Sequence, residues 1–277
     1  MEKARGNLFI VATPIGNLGD ITARAIDTLR SVDIIAAEDT RRSGILLNKL
    51  GIKKPFISYY KEKENMRADA LMGMLNDGKN IALITDAGTP CISDPGAVIV
   101  KKAIEEGITV TPIPGANAAV AAMSVSGLTG GYVFVGFLPS KRKEREAVVR
   151  EYGELSLPLI FYSAPHDAVA DIKFLNGELG GRSVYIMREL TKIHEEIIIG
   201  TLDSIDIKNA RGEFVIIVEG AKKKDFQDGR SVREELLERI SAGEEPKQAV
   251  KETAHIRKLE RDTVYKVYLE IKEKGLI

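Results

Sequence analysis

Thr85-Asp86-Ala87-Gly88-Thr89-Pro90-Cys91-Ile92-Ser93-Asp94-Pro95-Gly96 follows directly on the apolar run Ile81-Ala82-Leu83-Ile84. A short apolar run that ends in glycine, proline and small hydroxyl residues, then enters a helical pattern at Ala97, reads as strand, loop and helix. In open α/β sheets, ligands bind outside the carboxyl ends of strands, on loops of this kind. Glycine there lets backbone approach a ligand closely, and proline sets the path of the loop. Asp86 and Asp94, eight residues apart, add acceptors for a polar ligand. Taken alone, the stretch also fits an ordinary strand-to-helix turn with Ser93 and Asp94 as caps. Its neighbours decide between the two.

Upstream, Leu8–Ala12 reads as a buried strand, followed by the turn Thr13-Pro14-Ile15-Gly16-Asn17-Leu18-Gly19. Asp20 or Thr22 then caps a helix through Ile21, Ala25, Ile26 and Leu29. Val32–Ala37 is a second strand, running into Glu38-Asp39-Thr40-Arg41-Arg42, and a helix through Ile45, Leu46 and Leu50 stops at Gly51. Phe56–Tyr60 is a third strand, with a helix over Arg67–Leu75. Downstream come a helix over Ala97–Glu106, a strand at Thr109–Ile113, and the loop Pro114-Gly115-Ala116-Asn117-Ala118. Strands alternating with helices predict a mainly parallel sheet with helices on both faces.

After Gly127 the texture changes. Gly130-Gly131 is a hinge candidate, and strands at Tyr132–Leu138, Leu159–Tyr162, Val184–Met187, Glu195–Gly200 and Phe214–Val218 lie closer together. A mixed sheet is expected there. Lys222–Asp225 reads as a charged linker, followed by helical segments over Val232–Ile240 and Pro246–Lys274. The expected organisation is an α/β domain over 1–129, a second α/β domain over 130–221 that completes a cleft, and a helical module over 222–277.

At 277 residues the chain is long enough for two domains, on a prior of roughly 150 residues each. Its 40 Lys and Arg balance 40 Asp and Glu, so any polyanion must be met by a local basic patch. Cys91 is the single cysteine, which excludes an internal disulfide framework and fits a reducing compartment. The amino terminus lacks the pattern of a signal peptide, and no apolar run reaches the ~18 residues of a membrane span. A cytoplasmic protein with no membrane partner is expected.

Ala12–Thr22, Ala36-Ala37-Glu38-Asp39-Thr40-Arg41, the Asp86 loop, Pro112–Ala118 and Arg188-Glu189-Leu190-Thr191-Lys192 occur in an order that closely resembles the tetrapyrrole-methylase superfamily. Within it the chain looks like the bacterial 16S ribosomal RNA cytidine-2′-O-methyltransferases. The resemblance runs from about Gly6 to Gly220 and is less sharp beyond. It implies two α/β domains of non-Rossmann methyltransferase type, with S-adenosylmethionine in the cleft and a homodimer as the usual assembly. Consistently, no G-x-G-x-x-G follows the first strand. By match to the family, Pro14, Ile15, Asp86, Gly88, Thr89, Ser93, Asn117, Ala118, Phe161, Tyr162 and Leu190 line the cofactor pocket. For Phe161, Tyr162 and Leu190 the plain alternative is core packing at strand ends.

Methyl transfer to a ribose hydroxyl is an in-line displacement, so the site must orient both partners and exclude water. A ribose hydroxyl is a poor acid, and either a general base assists or orientation carries most of the rate. Glu38, Asp39, His166 and Glu189 are the candidates for that base; capping, ion pairing or a structural hydrogen bond is the alternative for each. Arg41 or Arg42 would hold a phosphate beside the target nucleotide. Lys141, Arg142, Lys143 and Arg145 form a basic loop suited to the RNA backbone, where each neutralised phosphate adds salt sensitivity, with a solvated helix start as the alternative. Lys247, Lys251, Arg257, Lys258 and Arg261 offer a further RNA face, unless those helices serve packing or dimerisation. The three histidines are scattered, and no metal is expected. Ser163 and Asp167 stand where the family commonly carries Glu and Arg, and Tyr59–Asn65 replaces a segment that tends to hold histidines. Competing readings are a methylase of a tetrapyrrole precursor or of a modified translation-factor histidine, and an idle RNA-binding scaffold.

Overall fold

The structure is a computed structural model, and it describes residues 4–222, 230–257 and 259–277. The chain divides into two compact units, Met1–Ala221 and Lys222–Ile277. The first unit holds two five-stranded sheets. The expected boundary near 129 falls between those sheets, inside the one unit.

The first sheet is formed by β1 (Leu8–Val11), β2 (Ile34–Ala37), β3 (Phe56–Ser58), β4 (Ile81–Ile84) and β5 (Val110–Ile113) in the order β3-β2-β4-β1-β5. All of its pairings are parallel. Every residue of β4 is buried, because the sheet is covered on both faces. Leu83 and Ile81 pack with helices α3 (Glu64–Asn76) and α4 (Ala97–Glu105); Ala82 and Ile84 pack with α1 (Ala23–Ser31) and α2 (Thr40–Lys49). That two-residue alternation explains why the run at 81–84 carries no polar residue.

Strand order also locates a crevice. From β1 the chain moves two places towards β2, whereas from β4 it moves two places the other way to β5. Neighbouring strands whose onward connections diverge leave an opening at their carboxyl ends. The loops after β1 and β4 flank that opening.

The second sheet contains β6 (Val133–Phe137), β7 (Leu159–Ser163), β8 (Ser183–Arg188), β9 (Glu196–Thr201) and β10 (Phe214–Val218) in the order β6-β7-β10-β8-β9. Only β6 and β7 run parallel, so the sheet is mixed, as expected. Helices α6 (Arg142–Tyr152) and α7 (Ala168–Leu179) cover one face, and α5 (Ala118–Val125) covers the other. Of these, α5 and α7 are not among the elements expected from the sequence, and α6 corresponds to the alternative of a helix start at the basic segment. Alanine-rich α5 lacks a polar stripe, and α6 begins within the basic loop.

A bulge between Phe134 and Gly136 brings β6 against the β4 loop. Gly136 has φ +78°, and a Cβ there would stand 2.9 Å from the Ser93 hydroxyl oxygen. Glycine is required by both the backbone conformation and the close approach.

In the second unit, α8 (Val232–Ser241), α9 (Pro246–Arg257) and α10 (Arg261–Glu273) share a small apolar core around Leu236, Val250, Val264 and Ile271. Ser231 and Glu234 form a reciprocal capping box at the start of α8. No helix among the described residues is long and apolar enough to cross a membrane.

Candidate active site

The loops after β1 and β4 are stitched by backbone. Thr13 N–H donates to the Gly88 carbonyl at 2.8 Å, and Gly88 N–H returns a bond to the Thr13 carbonyl at 3.1 Å. The Thr89 hydroxyl donates to the Ala116 carbonyl at 3.1 Å, which ties in the loop after β5. At the far end of the β4 loop, Glu64 accepts the Gly96 N–H at 2.8 Å and the Tyr59 hydroxyl at 3.2 Å. The segment expected from the family to carry histidines thus supplies a carboxylate that pins the loop.

Among the described residues, four non-glycine positions have left-handed backbone: Cys91, Ser93, Glu189 and Thr191. All four belong to two loops, after β4 and after β8. Strain of this kind persists only where the surroundings impose it, and it gathers at ligand sites. Between these loops lies a cavity of about 400 Å³, within the ~300–1,000 Å³ range of small-molecule sites. Ile15, Ile92, Phe137, Met187 and Leu190 contribute apolar wall, and Glu38, Asp86, Asp94 and Glu213 contribute carboxylates.

Nine of the eleven residues expected at the cofactor pocket line this cavity, from Ile15 through Leu190. Pro14 and Phe161 do not. Strand alternation turns Phe161 into the core beneath α7, whereas Tyr162 faces the cavity. The Tyr162 hydroxyl accepts the Ala119 N–H at 3.1 Å, at the start of α5, and Asn117 caps the same helix. Phe137, Met187, Phe214 and Val215 were not foreseen as lining. Apolar strands buried on both faces give no sign of which residue meets a cavity.

Of the four candidate bases, Glu38 lines the cavity. Burial, and then the neighbouring Asp86, push its carboxyl above the usual range. Asp39 caps α2 and chelates Arg41, whose hydrogen bonds hold its carboxyl down at about 2. His166 is exposed beside Asp167, 3.3 Å away. Glu189 accepts Lys192 Nζ at 2.7 Å and the Glu213 N–H at 2.9 Å. Burial works to raise its carboxyl, but these bonds outweigh burial and lower it. Asp86 accepts the Asp39 N–H at 3.2 Å and Arg42 Nη1 at 3.0 Å, which brings Arg42 to the cavity mouth.

Among the basic residues, Arg41, Lys141, Arg142 and Lys143 are exposed. Arg145 is held inside, with only 17 % of its side chain accessible. It pairs with buried Asp171 and lies 4.5 Å over the Phe174 ring, and Asp171 accepts the Ser163 hydroxyl at 2.5 Å. In the second unit, Lys247, Lys251 and Arg261 are exposed, whereas Arg257 donates to buried Glu235 at 2.5 Å. Lys258 and Lys223–Asp225 of the charged linker lie outside the described residues. Among the described residues, no group of three or more His, Cys, Asp or Glu side chains is placed to hold a metal ion.

The profile of the Tetrapyrrole (Corrin/Porphyrin) Methylases matches residues 7–206, which span both sheets up to the end of β9. The chain belongs to that family. The methylase is 42% identical over 279 residues to "Ribosomal RNA small subunit methyltransferase I" of Synechocystis sp., covering 98% of this chain and 100% of that one. Proteins of the same name from Bacillus subtilis and Escherichia coli O157:H7 are each 39% identical, covering 95% and 97% of this chain and 94% and 96% of theirs. Among solved structures it shares its fold with the methyltransferase CobJ (TM-score 0.60, 17% identity, 78% of this chain and 95% of that chain). The uroporphyrin-III-C-methyltransferase of Thermus thermophilus gives a TM-score of 0.55 at 16% identity, with 77% and 94% covered.

Methylases of this family take their methyl group from S-adenosylmethionine, and the cavity fits that donor. Gly88, with φ +82° and room for a Cβ only 3.3 Å from Ile15, leaves bare backbone at the wall. Apolar walls suit a purine ring, and the carboxylates suit a cationic sulfonium.

Proposed function

We propose that this methylase transfers a methyl group from S-adenosylmethionine to the ribose 2′-hydroxyl of a cytidine in 16S rRNA of the small ribosomal subunit, working in the cytoplasm as a homodimer. The supporting observation is identity of about 40% across nearly the whole chain to methyltransferases named for small-subunit ribosomal RNA. Exposed Ile193 and Ile199, beside and on the edge strand β9, support a second copy as the partner.

The donor supplies an electrophilic methyl group on a positively charged sulfur. Ile15, Gly88, Thr89, Asn117 and Tyr162 would hold it, and Asp86 would face its positive charge. Phe137 and Ile92, both partly exposed, would cover the bound donor and help to keep water from it. Arg41 and Arg42 stand near the mouth on the first turn of α2, suited to a phosphate flanking the target ribose. The exposed Lys141–Lys143 segment gives the RNA backbone a second contact, with Arg145 supporting the fold beneath it.

Small subunits from a strain lacking the gene, incubated with the purified protein and methyl-labelled donor, are expected to gain label in an alkali-resistant ribose of the rRNA. Label on a tetrapyrrole precursor, or donor binding with no transfer to RNA, would overturn the reading.

A further inference from the structure

A second cavity, also of about 400 Å³, opens between α6 and α7. Arg142 and Arg145 border it from α6, Lys173, Phe174, Gly177 and Glu178 border it from α7, and Ser140 borders it from the turn before α6. Arg142 and Lys173 are exposed. Arg142 gives its Nε to Glu146 at 2.8 Å, whereas Lys173 has no hydrogen bond or ion pair among the described residues. Arg145 is fixed by Asp171 and by the ring of Phe174, yet its buried Nε has no hydrogen-bond partner among the described residues. A buried donor left in that state calls for an explanation. Gly177 lies inside α7, where glycine is less favourable than alanine, and a Cβ there would meet nothing within 4 Å. Packing inside the protein therefore gives no reason for a glycine on this wall.

We propose that this groove is a phosphodiester subsite for the substrate RNA strand, an assignment that rests on the RNA 2′-O-methyltransferase reading above. Lys173, Arg142 and the Ser140 hydroxyl are the phosphate ligands. Arg145 is a positioning residue, which shapes the wall between them, and Gly177 leaves room for the sugar-phosphate chain to approach α7. The ligand set mixes a compact ammonium with a forked guanidinium, a combination that grips a phosphate from two sides.

The position of the groove favours RNA over an acidic peptide. Phe137 borders the donor cavity and Ser140, three residues on, borders the groove. Three residues span at most ~11 Å, so one short stretch of strand can lie in both. A buried link joins them as well. Asp171, which holds Arg145, also accepts the Ser163 hydroxyl at 2.5 Å, and Ser163 borders the donor cavity. The carboxylates that balance the two arginines, Glu146 and Asp171, are not part of the groove lining. Glu178 is the one carboxylate of that lining among the described residues. It opposes an anion, and this gives the test a sign.

The test compares the full-length wild type with Lys173→Gln, Gly177→Gln and Glu178→Gln, using small subunits that lack the modification. All three positions are exposed, so the fold should survive each change. Lys173→Gln should raise KM for the subunit roughly three- to tenfold and lower the salt slope of RNA binding by up to ~0.7, the share of one single-strand phosphate. Gly177→Gln adds a side chain without changing charge. It should weaken RNA binding by a similar factor while Tm stays level or rises, a pairing that damage to the fold would not produce. Glu178→Gln should tighten RNA binding. Donor affinity by calorimetry and kcat at saturating subunit should stay within about twofold of wild type throughout, because uniform binding is what is lost. Unchanged KM and salt slope in both Lys173→Gln and Gly177→Gln would overturn the assignment, and so would weaker binding in Glu178→Gln, the sign of a cationic partner. Inorganic phosphate that binds wild type but not Lys173→Gln at constant ionic strength, with RNA binding unmoved, would make the groove a free-anion site and overturn it too. Wild type that transfers no methyl to small subunits would instead sink the functional reading beneath it.

Discussion

The first sheet, all parallel, meets the cavity through loops: backbone of Thr13, Gly88 and Ala116 forms the stitching, and Asp86 and Asp94 project from one loop beyond β4. The second sheet, mixed, meets it through strand residues themselves, with Tyr162, Met187 and Val215 presenting side chains from β7, β8 and β10. Parallel strands whose connections diverge leave open carboxyl ends, so chemistry collects on loops there. A mixed sheet packed on one short helix offers a face instead, and that face is mostly apolar. The polar grip on a ligand should therefore be concentrated in the first half, and shape in the second.

The sharpest way to break this contrast is Asp86→Ala. It removes a carboxylate from the cavity and the partner of Arg42 and the Asp39 N–H. Donor affinity is expected to fall ~100-fold, about 2.8 kcal/mol at 1.4 kcal/mol per tenfold, with RNA affinity within a factor of about two. Calorimetry showing unchanged donor affinity would mean that the first half does not provide the grip.

The seam between the halves is tested next by Gly136→Ala. A left-handed alanine costs ~1–2 kcal/mol, and its Cβ would crowd Ser93. A lower urea midpoint and roughly tenfold weaker donor binding are expected, at ~1.4 kcal/mol per tenfold. A variant as stable and tight-binding as wild type would show that the β6 bulge does not seat the loop.

RNA binding should respond separately. Replacing Lys141, Arg142 and Lys143 by Ala should leave donor affinity unchanged and make RNA binding less salt-dependent. The slope should fall by up to ~0.7 for each single-strand phosphate that is no longer neutralised. Filter binding across a salt series would measure it, and an unaltered slope would remove that segment from the RNA interface.

Much of this layout was legible in the sequence because its signals are local. Alternating runs and loops announced the first sheet, and the 85–96 stretch announced the opening beyond β4. What stayed hidden depends on contacts distant in sequence. The buried pairing of Arg145 with Asp171 cannot be read from a basic run, and that pairing turns an expected RNA contact inwards. The facing of Phe214 and Val215 cannot be read from a strand buried throughout. Asp94 was visible as an acceptor, but its isolation from every described partner emerges only from the folded loop.

That isolation has a cost in stability, and it yields the smallest expected effect. A carboxyl whose folded pKa lies near 7 and whose unfolded value is ~3.9 binds more protons when folded between those two pH values, so stability falls as pH rises through that window. Below pH 4 the group is protonated in both states and contributes nothing. Asp94→Asn removes the charge and breaks no hydrogen bond among the described residues, so it should raise Tm at pH 8 and leave it unchanged at pH 4. The side chain is part-exposed to solvent, which discounts the gain to roughly 1 kcal/mol, or about 2–4 °C for a unit of this size. Calorimetric scans at the two pH values decide it. A variant that gains stability at high pH alone is the mark of a charge held at a cost to folding, whereas equal destabilisation at both would make Asp94 a structural residue.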